Sequence, residues 1–295
     1  MNRTALVVSM FLFASTAVAS AQEPAAKPPA KAEVDPIDEL VGVMRAAEGK
    51  LKSVAIELST SGVLLGDATV TTKGVLHVLR GTQAAIHTKF EYSFGDGIRG
   101  RAESSQTATG IVWFEDSPAS GEVFVQIDAK LVEDLEWAGG VLQRDNLPGM
   151  SDRRAAAPLG SEMLAAHQRQ FVLAADGRTV RGKEAGTWLV GARRPKLDEQ
   201  DPSLPIADRV ELFVRAQDKA LLEVRQFVAD KVVLHLVIDK LEVDVPLPAK
   251  VFTVDGGSQR LRPVQQYPPM WEQIEQALKA AETKSEPSVV RPSKR

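Results

Sequence analysis

Cysteine is absent from this chain of 295 residues. Without a thiol there is no disulfide to stabilise the fold, no thiolate nucleophile, and no sulfur to which a lipid could be attached. Aromatic residues are also scarce, at 5% of the sequence, whereas apolar residues make up 44% and charged residues 25%. This balance is typical of an ordinary globular protein.

Histidine is scarce as well. The four histidines lie on separate predicted elements, and none shows the spacing of a metal-binding motif. We therefore predict neither a metal site nor a bound cofactor. His77 and His87 fall on neighbouring predicted strands, where they could face each other, and we interpret them as a solvated pair.

The sequence also lacks a recognisable catalytic motif. It has neither a Gly-x-Ser-x-Gly elbow nor a Ser-x-x-Lys pair, and acidic pairs such as Glu133 and Asp134 are typical of solvated surfaces. Glycines 95, 97 and 100 fit a dinucleotide fingerprint by count, but no apolar helical periodicity follows them, so we interpret them as a hairpin turn. We predict that the protein is not an enzyme. The alternative, a hydrolase of unrecognised type, would need a polar cluster that the sequence does not display.

The sequence also lacks a strong excess of either charge sign and any long hydrophobic run. The formal net charge is −3 and the signs are interleaved, which argues against nucleic acid as a partner. The apolar stretch at 5–14 is too short to span a bilayer, and it is preceded by Arg3 and followed by Ala19-Ser20-Ala21. Residues 1–21 are therefore interpreted as a secretory signal peptide. The expected location is the periplasm, or outside the cell after secretion, without stable membrane insertion.

Two segments lack any periodic pattern. Residues 22–34 are mostly alanine, proline and lysine and predict an extended linker, and residues 283–295 predict a disordered basic tail. A single folded domain is therefore expected over residues 35–282. It should begin with an amphipathic helix that is capped by Asp35 and continues its apolar stripe to Leu51.

Alternating apolar and polar residues predict a run of strands after this helix. Helices are expected where the apolar spacing changes to three and four residues. The predicted strands are 54–60, 68–79, 85–94, 110–115, 122–127, 171–173, 179–182 and 187–192, and the further predicted helices are 129–137, 160–168 and 268–281. The predicted fold class is therefore α+β, with mostly antiparallel strands.

Residues 208–257 contain the clearest strand signal. Three alternating runs are separated by polar turns at 218–219 and 230–231. The apolar parity changes once inside the third run, which predicts a β-bulge near Asp239 and Lys240. Because a bulge bends a sheet, these strands are expected to form a curved surface that could wrap around a ligand.

The order of these elements resembles the LolA/LolB superfamily of periplasmic lipoprotein carriers. The segments that are similar to family patterns are 74–80, 110–114 and 209–257. The resemblance implies a half-open antiparallel β-barrel of about ten curved strands, with helices that form a lid or plug over a hydrophobic cavity. The chain departs from the carriers at Gly81, where they have proline, and in its longer region 139–194.

The same resemblance implies which residues would bind and gate a ligand. Acyl chains of lipids or of lipid-modified proteins would leave water in the cavity, at about 0.8 kcal/mol per buried methylene. Arg80 matches the arginine that bonds the backbone of a lid helix in the carriers. The residues expected to line or border the cavity are Trp113, Trp137, Val224, Leu236, Ile238 and Trp271.

A different function on the same scaffold stays open. The long region 139–194 favours a periplasmic sensor or interaction module, which would bind a periplasmic protein partner without transporting lipid. Fold alone does not separate the two functions, because function depends on the site.

Overall fold

The computed structural model describes residues 35–63, 68–95, 97–118, 121–142, 157–195, 206–257 and 259–285. The predicted signal peptide and linker lie outside these residues, as does the tail beyond residue 285. The helices in the described residues are α1 (Pro36–Glu48), α2 (Ala129–Leu142), α3 (Ser161–Gln170) and α4 (Pro268–Lys284). The last helix therefore continues past the predicted domain end at 282.

The described residues also form thirteen strands. They are β1 (Ser53–Val63), β2 (Thr69–Leu79), β3 (Ala85–Phe94), β4 (Ile98–Thr107), β5 (Gly110–Ser117), β6 (Gly121–Asp128), β7 (Phe171–Ala175), β8 (Val180–Arg181), β9 (Glu184–Arg193), β10 (Arg209–Arg215), β11 (Leu221–Val228), β12 (Lys231–Val243) and β13 (Arg262–Pro263). A short 3₁₀ turn, Ala249–Phe252, follows β12 in the chain.

One large open sheet contains these strands. Its order is β13-β6-β5-β4-β3-β2-β1-β12-β11-β10-β9-β7, and β8 pairs with β9. Neighbouring strands are antiparallel except for the short pair of β13 with β6. Because β13 and β7 end the strand order separately, the sheet is not closed. The predicted α+β fold with a half-open sheet is confirmed, although the strands are more numerous than the ten expected.

The fourth strand was not predicted from the sequence. Its alternate positions carry charged residues such as Arg101 and Glu103 on one face and small residues such as Gly100 and Ala102 on the other, so it has no apolar parity. Full pairing with β3 and β5 holds it in the sheet instead. The predicted hairpin turn is confirmed, since Gly95 lies in the β3–β4 turn with a φ of 49°.

Helix α1 begins as predicted but ends earlier. The Asp35 carboxylate accepts a hydrogen bond from the Ile37 N–H at 2.9 Å, and Pro36 occupies the first turn, where its missing N–H costs nothing. The helix ends at Glu48, and the Gly49 N–H donates to the Arg45 carbonyl at 3.0 Å. Leu51 therefore lies outside the helix, which corrects the expected length of the apolar stripe.

The predicted bulge is present in β12. Leu58 of β1 pairs with Ile238, whereas Glu57 pairs with Lys240, so Asp239 has no partner on β1. The extra residue moves the later apolar side chains of β12 back to the face that the earlier ones occupy, which explains the change of parity in the sequence.

All four helices pack against one face of the sheet, which we call the inner face. Helices α1 and α3 contact each other and bury Met44 and Leu164 against Leu212 of β10. Helices α2 and α4 contact each other and bury Leu135 against Ile127 of β6. The strand register places Leu212 and Ile127 on the same face. The central strands therefore lie between two helical pairs.

Candidate functional site

Between the helical pairs, the inner face of the central strands carries apolar side chains that are only half-buried. These side chains, which we call the inner floor, are Leu58, Phe90, Trp113, Leu234, Leu236 and Ile238. Phe90 lies over β2 because residue 74 is glycine, where a Cβ would come within 2.0 Å of the ring. A half-buried apolar strip of this kind offers a surface on which an apolar ligand could leave water.

The residues that were predicted to line a cavity differ in how deeply the structure buries them. Leu236 and Ile238 belong to the inner floor, and their role in lining a ligand cavity stays a prediction. Val224 pairs with Leu236 but is only 1% exposed, because α1 and α3 cover β10 and β11. Its expected place on an open surface is therefore corrected to a place in the core.

Arg80 follows the last residue of β2 and contacts the end of α1. Its backbone N–H donates to the Lys52 carbonyl at 2.9 Å, which places the side chain beside the chain that leaves the helix. The guanidinium Nη1 donates to the backbone carbonyl of Glu48. The same carbonyl accepts from the Leu51 N–H at 3.2 Å, so Arg80 supplies a second donor to a carbonyl at the helix end. Whether the contact acts as a latch stays a prediction.

The side chain of Glu48 connects α1 to α3. Its Oε1 accepts hydrogen bonds from the Leu159 N–H at 3.0 Å and the Ser161 N–H at 3.1 Å, and its Oε2 accepts one from the Ser161 hydroxyl. Gly160 stands at the N-cap of α3 and has no side chain to perform this role, so a carboxylate from another helix caps α3. We call Arg80, Glu48, Leu159 and Ser161 the Glu48 junction.

Sequence reasoning did not find the Glu48 junction. Glu48 is only 3% exposed, yet it lies in a polar stretch at the end of α1 that is typical of a solvated surface. Its partners are 111 and 113 residues away in the sequence. The one local signal is Gly160 before Ser161, which leaves the start of α3 without a side-chain cap from the N-cap residue.

Three of the predicted site residues are tryptophans near α2 and α4. Trp137 and Trp271 are half-buried and pack against the apolar cluster that the two helices share. Trp113 lies on the inner face of β5, opposite Ser104 and Val125. The Nε1 atoms of Trp113 and Trp137 are buried, and neither has a hydrogen-bond partner in the structure.

The opposite, outer face carries an open groove of about 810 Å³. Lys73, Glu91, Arg101 and Asp116 line it and lie opposite one another on successive strands. Each of these charged side chains therefore lies beside an opposite charge on the neighbouring strand. Serine and threonine hydroxyls form much of the remaining lining. Such a surface does not suit an acyl chain.

A second charged region of the outer face surrounds Glu223. Its carboxylate contacts Arg225 at 2.5 Å, His235 at 2.8 Å and Arg181 at 2.5 Å. Burial raises the pKa of Glu223, but hydrogen bonds from Arg181 and His235 and the charge of Arg225 outweigh it, so the pKa lies below its ordinary value. A carboxylate held ionised in this way is suited to structural pairing rather than to proton transfer.

The two central histidines do face each other on the outer face. His77 Nδ1 lies 3.3 Å from His87 Nδ1, and His87 Nε2 lies 3.1 Å from Glu103 Oε1. A carboxylate only accepts, so neutral His87 carries its proton on Nε2 and accepts at Nδ1 from His77. His87 is only 6% exposed, which corrects the expectation of a solvated pair.

The histidine pair predicts a loss of stability in mild acid. Burial, followed by the charge of His87, lowers the pKa of His77 below its ordinary value, although Glu57 opposes the shift. The unfolded chain binds this proton near pH 6.5, and the folded chain binds it only at lower pH. The free energy of unfolding should therefore be highest above about pH 7 and fall as the pH drops through about 6.5 towards the folded-state pKa.

Urea unfolding between pH 8 and pH 5 measures this dependence. His77→Asn keeps an amide N–H where Nδ1 lies and removes the titration, so its unfolding free energy should fall less steeply below pH 7. Ser93→Ala changes an exposed hydroxyl contact on β3 and keeps every histidine, so it is the matched control and should keep the wild-type slope. Equal slopes for wild type and His77→Asn would contradict the assignment.

Within the described ranges, no group of three or more histidine, aspartate or glutamate side chains is placed to hold a metal ion. No helix in the same ranges is long and apolar enough to cross a membrane.

Comparisons with known proteins give weak structural similarity and no match in sequence. No protein-family model and no curated protein matches the sequence. Among solved structures, an uncharacterized conserved protein from Thermus thermophilus is 9% identical, with 77% of this chain and 99% of that chain covered and a TM-score of 0.39. A DUF1329 family protein from Desulfovibrio piger is 12% identical, with 75% and 98% covered and a TM-score of 0.29. A LolA superfamily protein from Nitrosomonas europaea is 9% identical, with 74% and 97% covered and a TM-score of 0.23.

Proposed function

We propose that this protein is a periplasmic carrier that binds the acyl chains of lipids or of lipid-modified proteins on its inner floor. The observation that carries the proposal is the half-buried apolar strip between two helical pairs, on a sheet that is not closed. The periplasmic location is part of the proposal and is supported by the predicted signal peptide.

The energetics of such a site follow from burial. Each methylene that leaves water on the inner floor contributes up to about 0.8 kcal/mol, which corresponds to roughly a fourfold gain in affinity. Ordering the chain and moving a helical pair oppose this gain. A ligand that extends from the floor to beneath a helical pair requires that pair to move, so the contacts that hold the helices should control exchange.

Displacement of an apolar fluorescent dye by fatty acids of increasing length tests the proposal. Wild-type affinity should rise with every added methylene. Leu236→Asn places a polar amide on the inner floor and should lower the affinity for long chains by roughly tenfold, because one large apolar contact is lost.

Val232→Asn is the matched control for this variant. Val232 lies on the same strand but is 43% exposed, so its replacement should leave binding unchanged. The carrier proposal fails if the wild-type protein binds no dye, or if affinity does not depend on chain length. Transfer of bound ligand to acceptor vesicles separates a carrier from a sensor on the same scaffold, since a sensor would bind without passing its ligand on.

A further inference from the structure

Two tryptophan side chains in the described residues bury a hydrogen-bond donor that has no acceptor. They are Trp113 and Trp137, whose indole Nε1 atoms are inaccessible to water and unpaired. Trp188 shows the ordinary arrangement, because its indole N–H donates to the Val180 carbonyl at 2.9 Å. An indole nitrogen can only donate, so each unpaired group carries the cost of its lost hydration.

Both unpaired donors lie at the end of the inner floor that α2 and α4 cover. Trp113 follows Ile111 on the inner face of β5, and Ile111 belongs to the apolar cluster beneath these helices. Trp137 packs against the same cluster from α2. A ligand that lies along the floor would therefore reach both tryptophans at one end.

A negative charge near the two indole donors determines which kind of acceptor can bind there. Glu115 lies two positions beyond Trp113 on the same face. Burial, followed by the charge of Glu115, raises the pKa of Tyr92 and of Tyr267, so the carboxylate acts on this region as a negative charge. A second negative charge would be repelled, whereas a neutral carbonyl oxygen would not.

We propose that the indole N–H groups of Trp113 and Trp137 bind neutral carbonyl oxygens, of the ester or amide type, at the polar end of an acyl ligand. This inference rests on the proposed function and assigns the ligand's chemical class. Acylglycerol esters and the ester or amide links of lipid-modified proteins share this chemistry. Without a ligand, the two unpaired donors destabilise the region where α2 packs against β5. A carbonyl-bearing ligand supplies the missing acceptors.

Nuclear magnetic resonance of the protein with ¹⁵N-labelled tryptophan tests the contact directly. Addition of methyl dodecanoate should shift the indole N–H signals of Trp113 and Trp137 downfield, as expected of newly bonded donors. The Trp188 signal should stay in place, because its donor is already paired. Signals that do not move on ligand saturation would overturn the proposal.

Affinity measurements supply the second readout. Trp113→Phe and Trp137→Phe keep an aromatic ring and remove the donor, so each should weaken methyl dodecanoate binding roughly tenfold. Trp271→Phe is the matched control from the same cluster and should change this affinity by less than twofold. N-phenyl-1-naphthylamine has no carbonyl group, so Trp113→Phe and Trp137→Phe should lower its affinity several-fold less than they lower the affinity for methyl dodecanoate.

The outcomes separate this inference from the carrier function. If the wild type does not bind the dye, the proposed function fails and this inference fails with it. If the dye binds but the two variants keep full ester affinity, the tryptophan assignment is wrong and the carrier function stands. If dodecanoate at pH 8 binds as tightly as its methyl ester, the assignment to neutral carbonyl groups is overturned.

Discussion

Glu48→Ala should lower the free energy of unfolding by about 3–5 kcal/mol, the largest loss expected of any single change considered for this protein. The substitution removes the acceptor of the Leu159 N–H, the Ser161 N–H and the Ser161 hydroxyl at a buried position. Each unpaired buried group costs about 1–3 kcal/mol, and partial rehydration reduces the sum. The start of α3 also loses the carboxylate that caps it.

Urea unfolding at pH 7.5 checks this result with two further variants. Glu48→Gln retains an acceptor oxygen and should lose only about 1–2 kcal/mol, because the Ser161 hydroxyl can rotate to accept from the new amide. Glu39→Ala removes an exposed acid from the first turn of the same helix and should cost at most about 0.5 kcal/mol. If Glu48→Ala proves as stable as Glu39→Ala, the Glu48 junction does not hold α3.

Arg80→Leu should speed ligand exchange roughly tenfold while the fold stays intact. The guanidinium holds the Glu48 carbonyl at the end of α1, and its loss frees that end of the helix from β2. The bond contributes about 1 kcal/mol to stability, which corresponds to a small fall in melting temperature. Lysine should restore the wild-type rate only in part, since it presents a point charge in place of a planar fork.

The measurement pairs stopped-flow dye association and dissociation with thermal melting. Arg99→Leu removes an exposed arginine from the outer groove and serves as the matched control, with exchange rates expected to equal those of the wild type. Equal rates in Arg80→Leu would show that the contact with Glu48 is structural only. A melting temperature that falls steeply would instead show that Arg80 supports the core.

Several elements could be predicted because their causes lie close together in the sequence. The Asp35 cap, the turns at 218–219 and 230–231 and the bulge at Asp239 each depend on residues within a few positions of one another. Asp128 likewise caps α2 from one position before it, since its carboxylate accepts from the Leu131 N–H at 2.9 Å. That helix then runs to Leu142, beyond the predicted end at Trp137, because the two glycines that follow Ala138 do not interrupt it.

Other features had no local signal. The polar strand β4 forms because β3 and β5 supply hydrogen bonds on both sides, so its own side chains show no apolar alternation. Val224 and Leu236 both lie in alternating apolar runs and face the same side of the sheet. Helices cover Val224, whereas Leu236 stays half-buried. The place of each helix on the sheet decides that difference, and short-range patterns do not contain it.

By itself, the sequence determined the strand-rich composition of the fold, the helix starts, the bulge in the last long strand and the absence of any cysteine chemistry. These follow from side-chain alternation, capping and covalent structure, which act over a few residues. Only the tertiary structure decided that β1 pairs with β12, that Glu48 caps a helix 113 residues away, and that two indole donors remain unpaired. Each depends on segments distant in sequence that meet only after the chain has folded, because burial and hydrogen bonding are properties of the assembled neighbours rather than of the residue.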